Sequence, residues 1–177
     1  MCIKHYLSNL LQRKFNKLLY KGSDDYSQLG EQMVVMNILG RIDPQKINKI
    51  YVDIGAYHPF KGSNTYKLYL KNWKGVVVDP NPEKTKKFPK FRPEDLVITN
   101  AVIPDNWDIT EVEMLSTGNR DACESITPNL NKNNHLNLTT AKNSYLAKTI
   151  KISEVLGLTN EKFGLPAFMS VDIEGLE

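Results

Sequence analysis

Ile50-Tyr51-Val52-Asp53-Ile54-Gly55 is the stretch that decides the fold. A short run of β-branched and aromatic residues that halts at a glycine reads as a strand buried on both faces, the kind found in parallel sheets. Gly75-Val76-Val77-Val78-Asp79 repeats the pattern and is closed by Pro80 and Pro82. Leu96-Val97-Ile98-Thr99 supplies a third run, and Ala167-Phe168-Met169-Ser170-Val171-Asp172-Ile173 a fourth. Between the first two, a loop with Pro59 and Gly62 leads to Ser63, which can cap a helix through Leu70. A lysine-rich helix is predicted near residues 83–88. Strands and helices in alternation, with the strands apolar throughout, define the α/β class with a parallel sheet.

Outward from this centre the patterning changes. Residues 27–39 carry a helical period, with Leu29, Met33, Val34, Met36, Ile38 and Leu39 as the predicted buried face and Gly40 and Pro44 as the stop. Residues 1–20 place Ile3, Leu7, Leu10, Leu11, Leu18 and Leu19 near helical spacing, interleaved with Lys4, Arg13, Lys14 and Lys17. Such a basic amphipathic helix suits either a face of the sheet, which is favoured, or an anionic membrane surface. Residues 109–115 alternate enough for a strand, one that suits antiparallel pairing, and 149–156 suit a helix or a strand leading into one. The interval 116–144 is polar, with seven asparagines, and is expected to be a functional or mobile loop. The division expected is an N-terminal helical segment, 1–45, and a domain, 46–177.

Composition narrows the function classes. The chain has 177 residues, a length of one ordinary domain, and 41% hydrophobic against 24% charged residues, which excludes a disordered or collagen-like chain. No apolar run approaches the roughly 18–20 residues of a membrane-spanning helix. A net charge of +3 without a localised basic patch provides no nucleic-acid footprint. Cys2 and Cys123 are too few for a disulfide framework or a paired zinc site, so a reducing, cytoplasmic location is the default expectation. The Asn137-Leu138-Thr139 sequon is then a chance match.

Two carboxylates at strand ends, Asp53 and Asp79, carry the chemistry. Ligands of open α/β sheets bind beyond the carboxyl ends of strands. A carboxylate there can accept both hydrogen bonds of a ribose diol, while a glycine lets backbone approach the ligand. Each residue alone could equally cap a helix or loop. A dinucleotide site wants GxGxxG, but Gly55-Ala56-Tyr57-His58-Pro59-Phe60 has only its first glycine. Tyr57 and Phe60 stand where a diphosphate would press, so a nucleoside without phosphates suits the loop better. S-adenosylmethionine is such a ligand.

YVDIGAYHPFKGSNT (51–65), VVVDPNPE (76–83), RPEDLVITNAV (92–102) and MSVDIEGLE (169–177) occur in the order of the FkbM family of S-adenosylmethionine-dependent methyltransferases, and the chain resembles that family. YSQLGEQ (26–32) resembles the segment before its first strand. The likeness is good over 26–110 and looser over 148–177. It implies a class I methyltransferase (Rossmann-like) fold, S-adenosylmethionine as cofactor, and a hydroxyl of a sugar, polyol or specialised metabolite as acceptor. Asp53, Gly55 and Ala56 match the first cofactor motif, near the methionine part. Asp79, with Asn81 beside it, matches the acidic ribose position, and Asn100 and Ala101 match the end of the third strand, beside adenine. Asp172, Glu174 and Gly175 match the DxEG block where the methyl group is delivered. His58-Pro59 replaces a more usual Asn/Asp-Gly pair.

A hydroxyl acceptor needs a positioned base during attack. Asp172 is the first candidate, with Glu174 and His58 behind it; a helix-capping role for Asp172 is the structural alternative. Asp172 and Glu174 holding a divalent cation is the minor alternative, and no metal site is predicted. Lys84, Lys86 and Lys87 read as a solvated helix face, and Trp73 and Trp107 as residues packed on the sheet. His5, His135 and Cys123 have no partner visible in the sequence. The class I sheet has seven strands and four are recognisable, so a partial chain truncated after the fourth strand is expected, with that strand's edge open to self-association. A small-molecule or glycan acceptor is the expected partner. The rivals are an inactive cofactor-binding fragment and a nicotinamide-dependent oxidoreductase.

Overall fold

The computed structural model describes residues 25–116, 124–127 and 143–173. In chain order its elements are α1 (Glu31–Leu39), β1 (Ile50–Ile54), α2 (Tyr66–Leu70), β2 (Lys74–Val78), α3 (Pro82–Thr85), α4 (Phe88–Phe91), β3 (Leu96–Ile98), β4 (Ala101–Ile103), β5 (Glu111–Ser116), β6 (Glu124–Thr127), β7 (Asn143–Lys151), α5 (Ile152–Lys162) and β8 (Phe168–Val171). The first sheet runs β3-β2-β1-β8 and every neighbouring pair in it is parallel. All five residues of β1 are buried, as the apolar run requires of a central parallel strand.

Alternation along β1 and β2 sends side chains to two cores. Tyr51 and Val77 join Tyr66, Leu68, Tyr69, Trp73 and Phe88 on the face covered by α1, α2 and α4. Val52, Ile54, Val76 and Val78 face the other way, onto Ile98, Val102 and Val155 of α5. Trp73 is packed on the sheet, as expected. Ser63 lies two residues before the N-cap, which is Thr65 rather than the serine expected, but its Oγ accepts the Tyr66 N–H, the first of α2, at 3.1 Å.

A second sheet, β4-β7-β5-β6, is mixed. β4 lies parallel to β7, and β5 is antiparallel to both β7 and β6. The antiparallel strand anticipated at 109–115 is β5. β6 and the first part of β7 fall inside the interval read as a polar loop, because their residues alternate between polar types and offer no apolar run. Residues 117–123 and 128–142 of that interval lie outside the described residues, as do 1–24 and 174–177, and with them the expectations for the amphipathic helix at 1–20, Cys2, Cys123, His5, His135 and the sequon.

The buried face of α1 differs from the expectation. Met33, Val34 and Ile38 are 60%, 61% and 58% exposed, and Leu29, outside the helix, is more exposed still. The inward stripe is Gln32, Val35, Met36 and Leu39, a clean i, i+3, i+4, i+7 series. Two local features set this phase. Gly30 takes the left-handed conformation and delays the helix to Glu31. Gln32 is drawn inward because its Oε1 accepts the Tyr26 N–H at 3.2 Å. Among the described residues no helix is long and apolar enough to cross a membrane.

Candidate functional site

The carboxyl ends of β1 and β2 are tied together by backbone. Gly55 N–H and Ala56 N–H both donate to the Val78 carbonyl, at 2.9 and 3.0 Å. Gly55 (φ +77°) and Tyr57 (φ +48°) turn the chain sharply there. Asp79 is buried just beyond β2. Its Oδ2 accepts the Tyr57 N–H at 2.9 Å and its Oδ1 accepts the Asn81 N–H at 2.9 Å. The Asn81 side chain in turn accepts the Glu83 N–H and caps α3. Asp79 is thus held against the turn that begins at Gly55 by charge-assisted bonds of about 1.5–3 kcal/mol each.

Asp172 reaches the same place from the other side. Its N–H continues the β1–β8 ladder to the Ile54 carbonyl at 2.9 Å. A Cβ on Gly55 would fall 1.8 Å from the Asp172 carbonyl oxygen, so only glycine admits this approach. The Asp172 side chain is exposed. Strand order reverses between β1 and β8, so Gly55 and Asp172 flank the topological switch point, where ligands of open α/β sheets bind. Asn64, from the loop after β1, bonds Ser170 of β8 at 3.1 Å and closes this corner.

Asp53 is placed differently from the other tip residues. It points into the face shared with Tyr51, where Thr65 Oγ1 donates to its Oδ2 and Arg92 Nη1 stands 3.9 Å away. Burial pushes its carboxyl up from the ordinary value, Arg92 and Thr65 pull it back, and Asp95 and Asp172 push it further up. Arg92 and Asp95 went unremarked as individual residues in the sequence. The signal available was an Arg-x-x-Asp pair set between two apolar residues, Phe91 and Leu96, with Pro93 and Glu94 inside it.

Asn100 and Ala101 do not join this cluster. The Asn100 amide donates to the Thr149 carbonyl at 2.9 Å and ties the β3–β4 junction to β7. Ala101 is buried with Val112, Met114 and Ala147 in the core of the second sheet. Glu174 and Gly175 lie outside the described residues. Among the described residues no group of three or more His, Cys, Asp or Glu is arranged to hold a metal ion. Lys84 corrects the expectation of a solvated face for the lysines of this segment: it is buried, its Nζ 5.2 Å from the centre of the Tyr57 ring. Lys86 is exposed and pairs with Glu83.

His58 sits in the loop beside the turn, with Nδ1 accepting the Phe60 and Lys61 N–H groups at 3.3 and 3.2 Å. A neutral imidazole that accepts at Nδ1 carries its proton on Nε2, so the ring presents a donor. Burial, helped by Lys87 and Lys61, lowers its pKa to about 4. A general base works best near the operating pH, so this ring is poorly set for that role. The unfolded chain, with His near 6.5, binds the proton first, so His58 costs stability as pH falls from about 6.5 to about 4 and adds no further loss below that. An NMR titration should find the His58 midpoint below 5; a midpoint near 6.5 would contradict the loop geometry.

A parallel β3-β2-β1-β8 order, with a glycine turn and a fixed carboxylate at the tips of β1 and β2, is a Rossmann-like α/β arrangement, consistent with a methyltransferase. The model of the methyltransferase FkbM domain matches residues 53–177, most of the chain, and the chain belongs to that family. No curated protein and no solved structure matches the sequence.

Proposed function

We propose that this protein transfers the methyl group of S-adenosylmethionine to a hydroxyl of a sugar, polyol or specialised metabolite. The observation that carries the reading is the Asp79 carboxylate, buried at the tip of β2 and locked onto the Gly55 turn by the Tyr57 and Asn81 N–H groups. A carboxylate accepts up to about four hydrogen bonds, and one fixed in orientation suits the two donors of a ribose diol. Tyr57 and Phe60, in place of the second and third fingerprint glycines, favour a nucleoside without a pyrophosphate over a nicotinamide dinucleotide.

The sulfonium of the cofactor brings its own leaving-group activation. The chain's residues are left to align the acceptor and remove its proton. Alignment alone can supply about 7–11 kcal/mol in favourable cases. Asp172 is the proton acceptor in this reading, because the residue is exposed and its backbone abuts the Gly55 turn, whereas His58 presents a donor. Glu174 is the second candidate.

The test is methyl transfer from labelled S-adenosylmethionine to a panel of sugars and polyols. Asp172→Asn should lower kcat by about 10²–10⁴-fold while leaving S-adenosylhomocysteine affinity unchanged. Unchanged turnover in that variant would remove Asp172 from the base role. Binding of NAD in preference to S-adenosylhomocysteine would remove the methyltransferase reading itself.

A further inference from the structure

Arg92 is the largest of the fully buried side chains among the described residues, and nothing in methyl transfer itself asks for it. Burying a guanidinium costs several kcal/mol unless it is paired and bonded. Arg92 meets that cost with Asp95, whose Oδ2 accepts its Nε–H at 2.6 Å, and with the rings of Tyr51, Phe88 and Tyr69, 5.1–5.5 Å from its Cζ. Those partners would suffice to settle it in the core.

The rest of the fork reaches elsewhere. Nη1 donates to Ser63 Oγ at 3.4 Å and the Pro59 carbonyl at 3.5 Å, and Nη2 donates to Thr65 Oγ1 at 2.9 Å. All three acceptors belong to the loop that follows the Gly55 turn. The single Thr65 hydroxyl proton then goes to Asp53 Oδ2. Thr65 is therefore a relay: it receives from Arg92 and donates to Asp53, which fixes the rotation of that carboxylate. The charges add to this. Arg92 and Asp95 form the close pair, and Asp53, 3.9 Å from Arg92, is a second buried carboxylate around one cation.

We propose that Arg92, acting through the Thr65 hydroxyl, is a positioning residue that fixes the 59–65 loop and aims the Asp53 carboxylate toward the ammonium group of the cofactor's zwitterionic amino-acid tail. The proposal rests on the cofactor reading above and deepens it. A residue that merely stabilised the fold would affect every ligand of the site alike. A residue that aims Asp53 affects ligands bearing the ammonium tail and spares those without it.

The experiment is calorimetry on the full chain with two probes, S-adenosylhomocysteine and 5′-methylthioadenosine, which share the nucleoside and differ in the tail. Thr65→Val, close in shape to the native side chain but lacking the hydroxyl, should weaken S-adenosylhomocysteine by about tenfold or more and leave methylthioadenosine within about twofold. Thr65→Ser should restore the native affinities. Arg92→Lys keeps the charge but loses the fork, and should show the same selective loss; it carries the test if Thr65→Val fails to fold. Equal weakening of both probes, or no weakening of either, would overturn the role of Arg92 while leaving the cofactor reading intact. Failure of the unmutated protein to bind either probe would overturn both.

Discussion

Gly55→Ala is expected to cost at least about 3 kcal/mol of stability, read as a fall in the urea midpoint. Two causes add. The new Cβ would lie 1.8 Å from the Asp172 carbonyl oxygen and 2.8 Å from its carbonyl carbon, backbone atoms that cannot rotate aside. The residue would also have to hold φ +77°, which an L side chain resists by about 1–2 kcal/mol. Relief requires the tip of β8 to leave β1, and with it the Asp172 N–H bond to Ile54. Gly62→Ala is the internal control. Its φ is +62°, but its nearest neighbour would be the flexible Gln28 side chain at 3.4 Å, so about 1 kcal/mol is expected. Similar losses at the two positions would mean that β8 does not press on the Gly55 turn.

Asp79→Asn should be nearly as damaging, although the amide has the carboxylate's shape. Both Asp79 oxygens receive backbone N–H groups, from Tyr57 on one side and Asn81 on the other. An asparagine must turn its NH₂ toward one of them, donor against donor. One buried bond is lost outright and the other loses its charge, a cost of about 2–3 kcal/mol in stability. The same change removes the acceptor assigned to the ribose diol, so S-adenosylhomocysteine affinity should fall by about 10–100-fold. Thermal melts and calorimetry on one preparation read both effects. Native stability with unaltered binding would show that this carboxylate neither holds the turn nor meets the ligand.

What the sequence made legible follows from what burial does to composition. β1 and β2 are buried parallel strands, and such strands are written as plain apolar runs; β3 and β8, partly exposed at the two ends of the sheet order, carry the same kind of run, and each of the four was expected within a residue or two of where it lies. The glycine and the two carboxylates at the tips were legible for the same reason, being the places where those runs stop. The stripe of α1 was not, because Gln32 is polar and its inward position depends on Tyr26, a contact no periodicity announces. β6 and the first part of β7 escaped notice because their pairing partners, not their composition, make them strands, whereas the end of β7 and its passage into α5 were legible over 149–156. His58 illustrates the limit at the site. A histidine beside a candidate cofactor loop reads as a base until the Phe60 and Lys61 N–H groups are found on its Nδ1. Arg92 is the same lesson with the opposite sign: a charged residue taken as one letter of a family block proves to connect Asp53, Ser63, Thr65 and Asp95.

The central claim is that the Asp79 carboxylate grips the sugar of a sulfonium nucleoside. Comparing S-adenosylhomocysteine with its 2′-deoxy analogue by calorimetry on the unmutated protein tests it without disturbing the fold. Loss of one charge-assisted bond predicts about 10-fold or more weaker binding of the deoxy compound. Equal affinity for the two would contradict it.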